Sequence, residues 1–242
     1  MYDSNRQAFH QFVFSHSSTP YEDLYYLLKE ISLDVKKKYQ AEGIPEKIYV
    51  ETMTDLDVWA QDYKNEHGVL GIKEYKWVEK SLDLKVFKLG RLQFEPVKDN
   101  QVEEFLHVRG ILDEVIIRNT HIQSGEPLDF DLCQQSYETA VEFFKARGNG
   151  GEKVIFVCDS WLLNPKLATL LSANNNIVKF QQQYKIISKD LSKRQAEERL
   201  FQKVEDNPKL YKATTSLQMK VRDCLIKGER LGNYKGVNTK FL

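Results

Sequence analysis

Apolar residues recur every three or four positions through most of the first third of the chain, and this spacing is typical of one helix face. It predicts helices over residues 21–39, 49–64 and 69–80. The lysine run 36–38 ends the first of these, where positive charge stabilises a helix C-terminus, so we interpret it as a solvated helix end rather than a nucleic-acid patch. Residues 1–80 are therefore predicted to form a helical N-terminal region.

The pattern changes over residues 84–95, where apolar and polar residues alternate as in a half-buried strand that is interrupted near Gly90. Residues 102–108 and 113–118 are predicted to be two further strands. We expect these stretches to form an antiparallel meander at the start of the second part of the chain, residues 81–242.

A strand, helix and strand are predicted next, from residues 113–118, 131–147 and 153–158. The last of these is a continuous β-branched run, which is typical of a strand buried on both faces. Two strands joined through a helix in one sheet lie parallel, so their carboxyl ends point the same way. A short helix is predicted to begin near Asn164 or Pro165.

The last quarter of the chain mixes both patterns. Residues 176–187 alternate as in an antiparallel strand, residues 193–204 and 215–227 have helical spacing, and residues 232–236 lead into a last short strand. The whole pattern predicts an α+β protein, with a helical region followed by a mixed sheet and flanking helices.

The amino-acid composition narrows the range of possible binding partners. The 242 residues include 35 acidic and 35 basic ones, so no net field favours nucleic acid or a membrane surface. The three cysteines are odd in number and widely spaced, which predicts neither a disulfide framework nor a metal site. Because no leader or membrane-spanning run is evident, we expect a cytoplasmic protein. Its expected partner is a small molecule. The oligomeric state is not predicted.

Polar side chains lie where the predicted strands end. His121 follows the first parallel strand and can act as a base at neutral pH, or else be bonded to a neighbouring loop. Asp159 and Ser160 follow the second, but no Gly-x-Ser-x-Gly motif supports an ordered nucleophile–base–acid set. Glu95, at the end of another strand, is a further candidate base, with a surface carboxylate as its alternative.

The same strand ends can bind phosphate. Backbone N–H groups in the first turn after a strand are unpaired and carry partial positive charge. We therefore expect a phosphorylated ligand near Gln123, Ser124 and Gly125, and near Ser160. Asp129 is interpreted as a helix-capping residue.

Four blocks of sequence, taken together and in order, resemble a known family. They are "LGRLQFE" at 89–95, "HIQSGEPLDFDLCQQSYETAVEFF" at 121–144, "CDSWLLNPKL" at 158–167 and "NIVKFQQQYKI" at 176–186. The chain resembles, over residues 44–236, the acyltransferases that join a helical N-terminal region to a GNAT-like C-terminal domain. This resemblance implies a mixed sheet whose two central parallel strands splay apart around the pantetheine of acyl-CoA or acetyl-CoA.

The resemblance also implies a reaction. An amine acceptor attacks the thioester directly, without a covalent enzyme intermediate, in a site that positions the reactants and stabilises the oxyanion. Glu95 or His121 removes the proton of the amine, Asp159 is a further candidate catalytic residue, and backbone amides of residues 123–125 hold phosphate together with Ser160.

The sequence departs from the GNAT pattern in three places. The loop over residues 122–128 has Gly125 alone where the family usually has two small residues, and Pro127 has no N–H to donate. No tyrosine occurs within residues 161–173, where the family usually has its acid, and Asp159 stands where a histidine is expected. The alternative function is therefore a GNAT-fold module that binds its ligand without turnover.

Overall fold

The computed structural model describes residues 6–111, 115–148 and 153–241. The chain divides into two compact units. The helical unit comprises Met1–Leu89 and Gln123–Glu126, and the sheet unit comprises Gly90–Ile122 and Pro127–Leu242.

The described residues of the helical unit form four helices and one short strand. They are α1 (Arg6–His16), α2 (Pro20–Ala41), α3 (Glu46–His67), α4 (Tyr75–Leu82) and β1 (Phe87–Leu89). Proline in the first turn favours the start of α2, and Gly68, with φ of 82°, ends α3 in the left-handed conformation that glycine adopts at little cost. The predicted helices are confirmed, except that residues 69–74 precede α4 rather than belong to it.

The core of the helical unit contains hydrogen-bonded polar groups as well as apolar side chains. Leu24, Leu28 and Leu56 are at most 1% exposed and supply apolar contacts. The buried hydroxyl of Tyr39 donates to the carbonyl of Ser81 at 2.8 Å, which satisfies a polar group that would otherwise be costly to bury. Apolar packing and long-range hydrogen bonds thus stabilise the same core.

Helices and strands alternate in the sheet unit. The elements are β2 (Leu92–Pro96), α5 (Asn100–His107), β3 (Val115–Ile122), α6 (Phe130–Arg147), β4 (Lys153–Ser160), α7 (Lys166–Leu170), α8 (Asn176–Gln181), β5 (Lys185–Asp190), α9 (Gln195–Phe201), α10 (Ser216–Ile226) and β6 (Asn233–Asn238), with 3-10 turns at Trp161–Leu163 and Pro208–Leu210. The strand order within this unit is β2-β3-β4-β6-β5. Only β3 and β4 pair in parallel among the described strands of the unit, so the predicted mixed sheet with a parallel pair is confirmed.

Each face of this sheet packs against a different helix. On one face, Tyr137 of α6 contacts Phe156 of β4, with ring centroids 4.8 Å apart. On the other face, Val102 and Leu106 of α5 belong to an apolar cluster with Val157 of β4. Because side chains alternate along a strand, these contacts fix the direction of every neighbouring side chain.

The parallel strands separate before they end. Their pairing runs from Val115 opposite Lys153 to Asn119 opposite Val157. Beyond that point β3 stays paired with β2 as far as Ile122, and β4 stays paired with β6 through its last residues. The central pair therefore splays apart at its carboxyl end, as the resemblance implies.

The strand prediction for residues 102–108 is wrong, because this stretch is helix α5. Asp99 accepts hydrogen bonds from the backbone N–H groups of Gln101 and Val102 and so caps the helix. Its short apolar face, with Val102 and Leu106 one turn apart, covers the sheet. The predicted antiparallel arrangement therefore lacks this strand, although β2 and β3 do pair antiparallel.

Two further expectations need correction. Residues 176–181 form helix α8, which Asn175 caps, and the strand that follows begins only at Lys185. His121 lies within β3 rather than beyond it, opposite Gln93 of β2. Among the described residues, no helix has both the length and the apolar character needed to span a membrane.

Candidate functional site

Polar side chains share one face of the sheet at the splayed end of the parallel strands. Val157 and Val237 pack on the α5 side, so the residues two positions along, on β4 and β6, project from that same face. Ile117 defines this face for β3 in the same way. The polar row consists of Glu95, Asn119, His121, Asp159 and Lys235.

Glu95, Asn119 and His121 form the first half of this row, here called the glutamate–histidine cluster. His121 Nε2 lies 2.8 Å from Glu95 Oε1, and Asn119 Nδ2 lies 3.1 Å from the same histidine nitrogen. The side chains of Glu95 and His121 are 14% and 29% exposed. The cluster is therefore held by the sheet and still reached by solvent.

The Glu95 carboxylate determines which nitrogen of the His121 imidazole carries hydrogen. An ionised Glu95 favours the tautomer in which Nε2 carries hydrogen and donates to Oε1, since a lone pair there would face negative charge. Nδ1 of a neutral His121 then carries the lone pair. A histidine that a carboxylate orients, with a lone pair on its other nitrogen, has the arrangement of a general base.

Asp159 lies on the other side of the splay, on β4. Its Oδ2 accepts from Lys193 Nζ at 3.0 Å, and its Oδ1 accepts from Asn233 Nδ2 at 3.1 Å. With its carboxylate bound to a cation and an amide, Asp159 is better suited to holding a ligand than to removing a proton. Lys235, opposite Asp159 on β6, completes the row.

Gln123 belongs to a buried network of the helical unit. Gln123 Nε2 donates to Asp55 Oδ1 at 2.7 Å, and Trp77 Nε1 donates to the other oxygen of Asp55 at 2.5 Å. Lys88 Nζ donates to Gln123 Oε1 at 2.6 Å and to Glu126 Oε1 at 2.9 Å. The side chain of Gln123 is thus engaged, and a phosphate contact there depends on backbone N–H groups.

The other predicted phosphate residues have local partners. Ser124 Oγ donates to Asp62 Oδ2 at 3.3 Å. Gly125 has φ of 88°, a backbone conformation that residues other than glycine rarely adopt. Ser160 Oγ accepts from the backbone N–H of Leu162 at 3.1 Å and caps the 3-10 turn. The geometry brings Glu95 and His121 together and gives Asp159 a separate set of partners.

Sequence reasoning missed several polar residues of these sites. Asn119 could have been found, because it stands two positions before His121 and so shares its face of the strand. Lys193, Asn233 and Lys235 reach Asp159 only through strand pairing and a loop in the last quarter of the chain. The local spacing of residues along the sequence does not predict those contacts.

The sheet unit contains a pair of buried tyrosines, neither of them within residues 161–173. The hydroxyls of Tyr137 and Tyr184 are hydrogen-bonded to each other. Burial raises the pKa of each hydroxyl well above its ordinary value, so both stay protonated at neutral pH.

Two family models match the chain in succession. The model of an N-acyltransferase N-terminal domain matches residues 11–84, and the model of a GNAT-like C-terminal domain matches residues 86–238. No curated protein matches the sequence.

Solved structures share the fold. An acyltransferase in complex with decanoyl-CoA and teicoplanin is 20% identical, with a TM-score of 0.76 over 90% of this chain and 66% of that one. An acyltransferase in complex with CoA and 10C-teicoplanin is 20% identical, with a TM-score of 0.77 over 91% and 67%. A mutant acyltransferase in complex with octanoyl-CoA is 19% identical, with a TM-score of 0.77 over 91% and 67%.

The chain thus spans about two thirds of the length of these solved proteins, at 66–67%. At this level of identity the likeness shows the fold. The family rests on the sequence matches, which together run from residue 11 to residue 238 with one residue between them. The chain belongs to the GNAT-like acyltransferase family in which an N-acyltransferase N-terminal domain precedes a GNAT-like C-terminal domain.

Proposed function

We propose that the chain transfers an acyl group from acyl-CoA to the amine of a small acceptor. The observation that carries this proposal is the splay of β3 and β4 beside the glutamate–histidine cluster. Diverging strands present backbone edges to an extended ligand, as a sheet edge does to an added peptide. Pantetheine, which is extended and has two amide groups, suits such edges. The acyltransferases of similar fold that bind acyl-CoA or CoA support the same ligand.

The reaction follows from the groups on the two sides of the splay. The acceptor nitrogen attacks the thioester carbonyl carbon, the bond from carbon to sulfur breaks, and the sulfur leaves as thiolate and takes up a proton. His121 accepts the proton of the amine, and Glu95 orients and stabilises the imidazolium that results. Direct attack needs no protein nucleophile. Asp159, on β4, is proposed to hold the amine as it approaches.

Phosphate binding stays a prediction from the sequence. Backbone N–H groups of Gln123, Ser124 and Gly125 are proposed to bind a phosphate of the cofactor, and Ser160 is the other candidate. The side chain of Gln123 is already hydrogen-bonded within the protein, and the loop has Gly125 alone where the family usually has two small residues. Both features favour phosphate contacts that differ from those usual in the family. Both also favour the alternative function, in which the protein binds a CoA ligand without turnover.

Calorimetry and a thiol-release assay on the full chain test these functions. We expect octanoyl-CoA, acetyl-CoA or CoA to bind, and an amine panel to release free thiol faster than water does. If none of the three ligands binds at millimolar concentration, the proposal is wrong in both forms. Binding without thiol release across the panel would instead establish the module.

A further inference from the structure

A polar pocket of about 230 Å³ opens beside Asp159 in the sheet unit. Residues of β4, β5, β6 and the loop after β5 line it, including Asp159, Asp190, Lys193, Asn233 and Lys235. The pocket therefore lies on the side of the splay opposite to the glutamate–histidine cluster.

The charges of this pocket are mixed. Lys193 bonds to Asp159, while Lys235 bonds to Asp99 and, at 3.0 Å, to Gln101. The lining contains three lysines and two aspartates, so a dianionic phosphate would be attracted by the first and repelled by the second. A ligand that carries both a positive and a negative group suits such a lining better.

Asn233 supplies a second, independent indication of a ligand. It is only 3% exposed, and its Oδ1 has no hydrogen-bond partner among the described residues, although its Nδ2 donates to Asp159. An unsatisfied buried acceptor is costly. This acceptor belongs to a side chain that lines the pocket, and a ligand with N–H donors would satisfy it.

We propose that this pocket binds the acyl acceptor, and that the acceptor is a small amine that carries a carboxylate, such as an amino acid. The inference rests on the proposed acyl transfer and adds the class of acceptor. The carboxylate of the acceptor pairs with Lys193 and Lys235, and its amine lies against Asp159 and Asn233. Asp159 projects from the same sheet face as His121, so the amine is held at the splay where its proton is removed.

The decisive comparison uses acceptors that differ only in charge. Thiol release from octanoyl-CoA is measured with α-, β- and γ-amino acids and with the amide of each, which keeps the amine and removes the negative charge. We expect at least one amino acid to have a kcat/KM about fivefold or more above that of its amide, since a partly exposed ion pair contributes about that much.

A lysine variant and its reversal sharpen this test. Lys193→Met is expected to remove the preference for the carboxylate, and Lys193→Glu to invert it in favour of diamines. Lys185→Met is the matched control, because Lys185 is exposed at the start of β5 and does not line the pocket. The control should keep the preference of the wild type.

Two readouts separate this inference from the proposed function. Binding of the amino acids to the full chain is followed by NMR at the side-chain amide of Asn233, which requires no turnover. If thiol release is fast with simple amines and every amino acid performs no better than its amide, acyl transfer stands and the acceptor class is wrong. If an amino acid shifts the Asn233 signal while no acceptor releases thiol, the pocket stands and the transfer is wrong. If no amino acid shifts that signal, the pocket assignment is overturned.

Discussion

The two units each contain a set of charged and polar side chains, and the two sets differ in burial. In the helical unit, Asp55 is 2% exposed and Lys88 is 7% exposed, and their hydrogen bonds meet at Gln123. In the sheet unit, Glu95 and His121 are only partly buried. Both sets were assembled by tertiary structure, but Asp55, Lys88 and Gln123 are buried, whereas Glu95 and His121 stay within reach of solvent.

The difference separates structural roles from chemical ones. A buried charge whose partners are all protein groups stabilises one arrangement of the chain and is costly to disturb. A half-buried polar pair such as Glu95 and His121 contributes less to stability and can be reached by a ligand. Burial and partners, rather than residue type, therefore indicate which carboxylates hold the fold and which serve the reaction.

The largest expected effect is on the buried set. Asp55→Ala removes the acceptor of Gln123 Nε2 and Trp77 Nε1, and we expect the free energy of unfolding to fall by about 2–6 kcal/mol, since each buried donor left unsatisfied costs about 1–3 kcal/mol. Urea denaturation measures this loss. The matched control is Asp57→Ala on the same helix, because Asp57 is 53% exposed and pairs with Lys29 at the surface. The free energy of unfolding of the control should stay within about 1 kcal/mol of that of the wild type. Equal losses in the two variants would show that burial does not separate the roles of these two carboxylates.

The next effect is on turnover. His121→Ala removes the proposed base, and kcat for acyl transfer should fall about 100-fold or more while the denaturation midpoint stays close to that of the wild type. His107→Ala is the control, since His107 is exposed on α5. An unchanged kcat in His121→Ala would exclude this residue from the mechanism.

A smaller effect is expected at Glu95. In Glu95→Gln the amide keeps the shape of the side chain but no longer stabilises the imidazolium that forms during the reaction, so kcat should fall about tenfold. The kcat of this variant is compared with that of Glu103→Gln, an exposed carboxylate on α5. A kcat equal to that of the control would leave Glu95 with no role in proton transfer.

The smallest effect is on stability at low pH. Burial alone would raise the pKa of Asp99, but the hydrogen bond from Lys235 and the backbone N–H groups of Val102 and Gln101 outweigh it and lower the pKa. Because the folded state lowers this pKa, the ion pair stabilises the protein above the ordinary aspartate pKa and ceases to do so as pH falls through the folded value.

Lys235→Met should therefore lower the free energy of unfolding by about 1 kcal/mol at pH 7, and the difference from the wild type should shrink toward zero in acid. Denaturation curves at several pH values measure it. A difference that stays constant with pH would show that Lys235 contributes through packing alone.

Long helices and buried strands were predictable because their patterns extend over many residues. Helices α2, α3 and α6 and strand β4 lie where apolar spacing indicated. Helix α5 was missed because its eight residues cover only two turns, and alternation over so short a stretch fits either structure. Asp99, which stands just before α5, is its cap.

The candidate site was predictable only in part. Glu95, His121 and Asp159 were singled out because strand ends collect functional residues, and the first two do lie 2.8 Å apart. The partners of Asp159 come from residues 34 and 74 positions away, which no local pattern specifies. Likewise, the bond between Asp55 and Gln123 joins residues 68 positions apart.

The segment Gln123–Glu126 gives the helical unit an unusual dependence on the rest of the chain. The unit is not one continuous stretch, since four residues from beyond β3 belong to it. A fragment cut after Leu89 would keep Asp55 and Lys88 but lose the glutamine that accepts from one and donates to the other. The N-terminal region is therefore not an exchangeable module: grafted onto another sheet, it would fold well only if the new host returned a comparable glutamine to the same place.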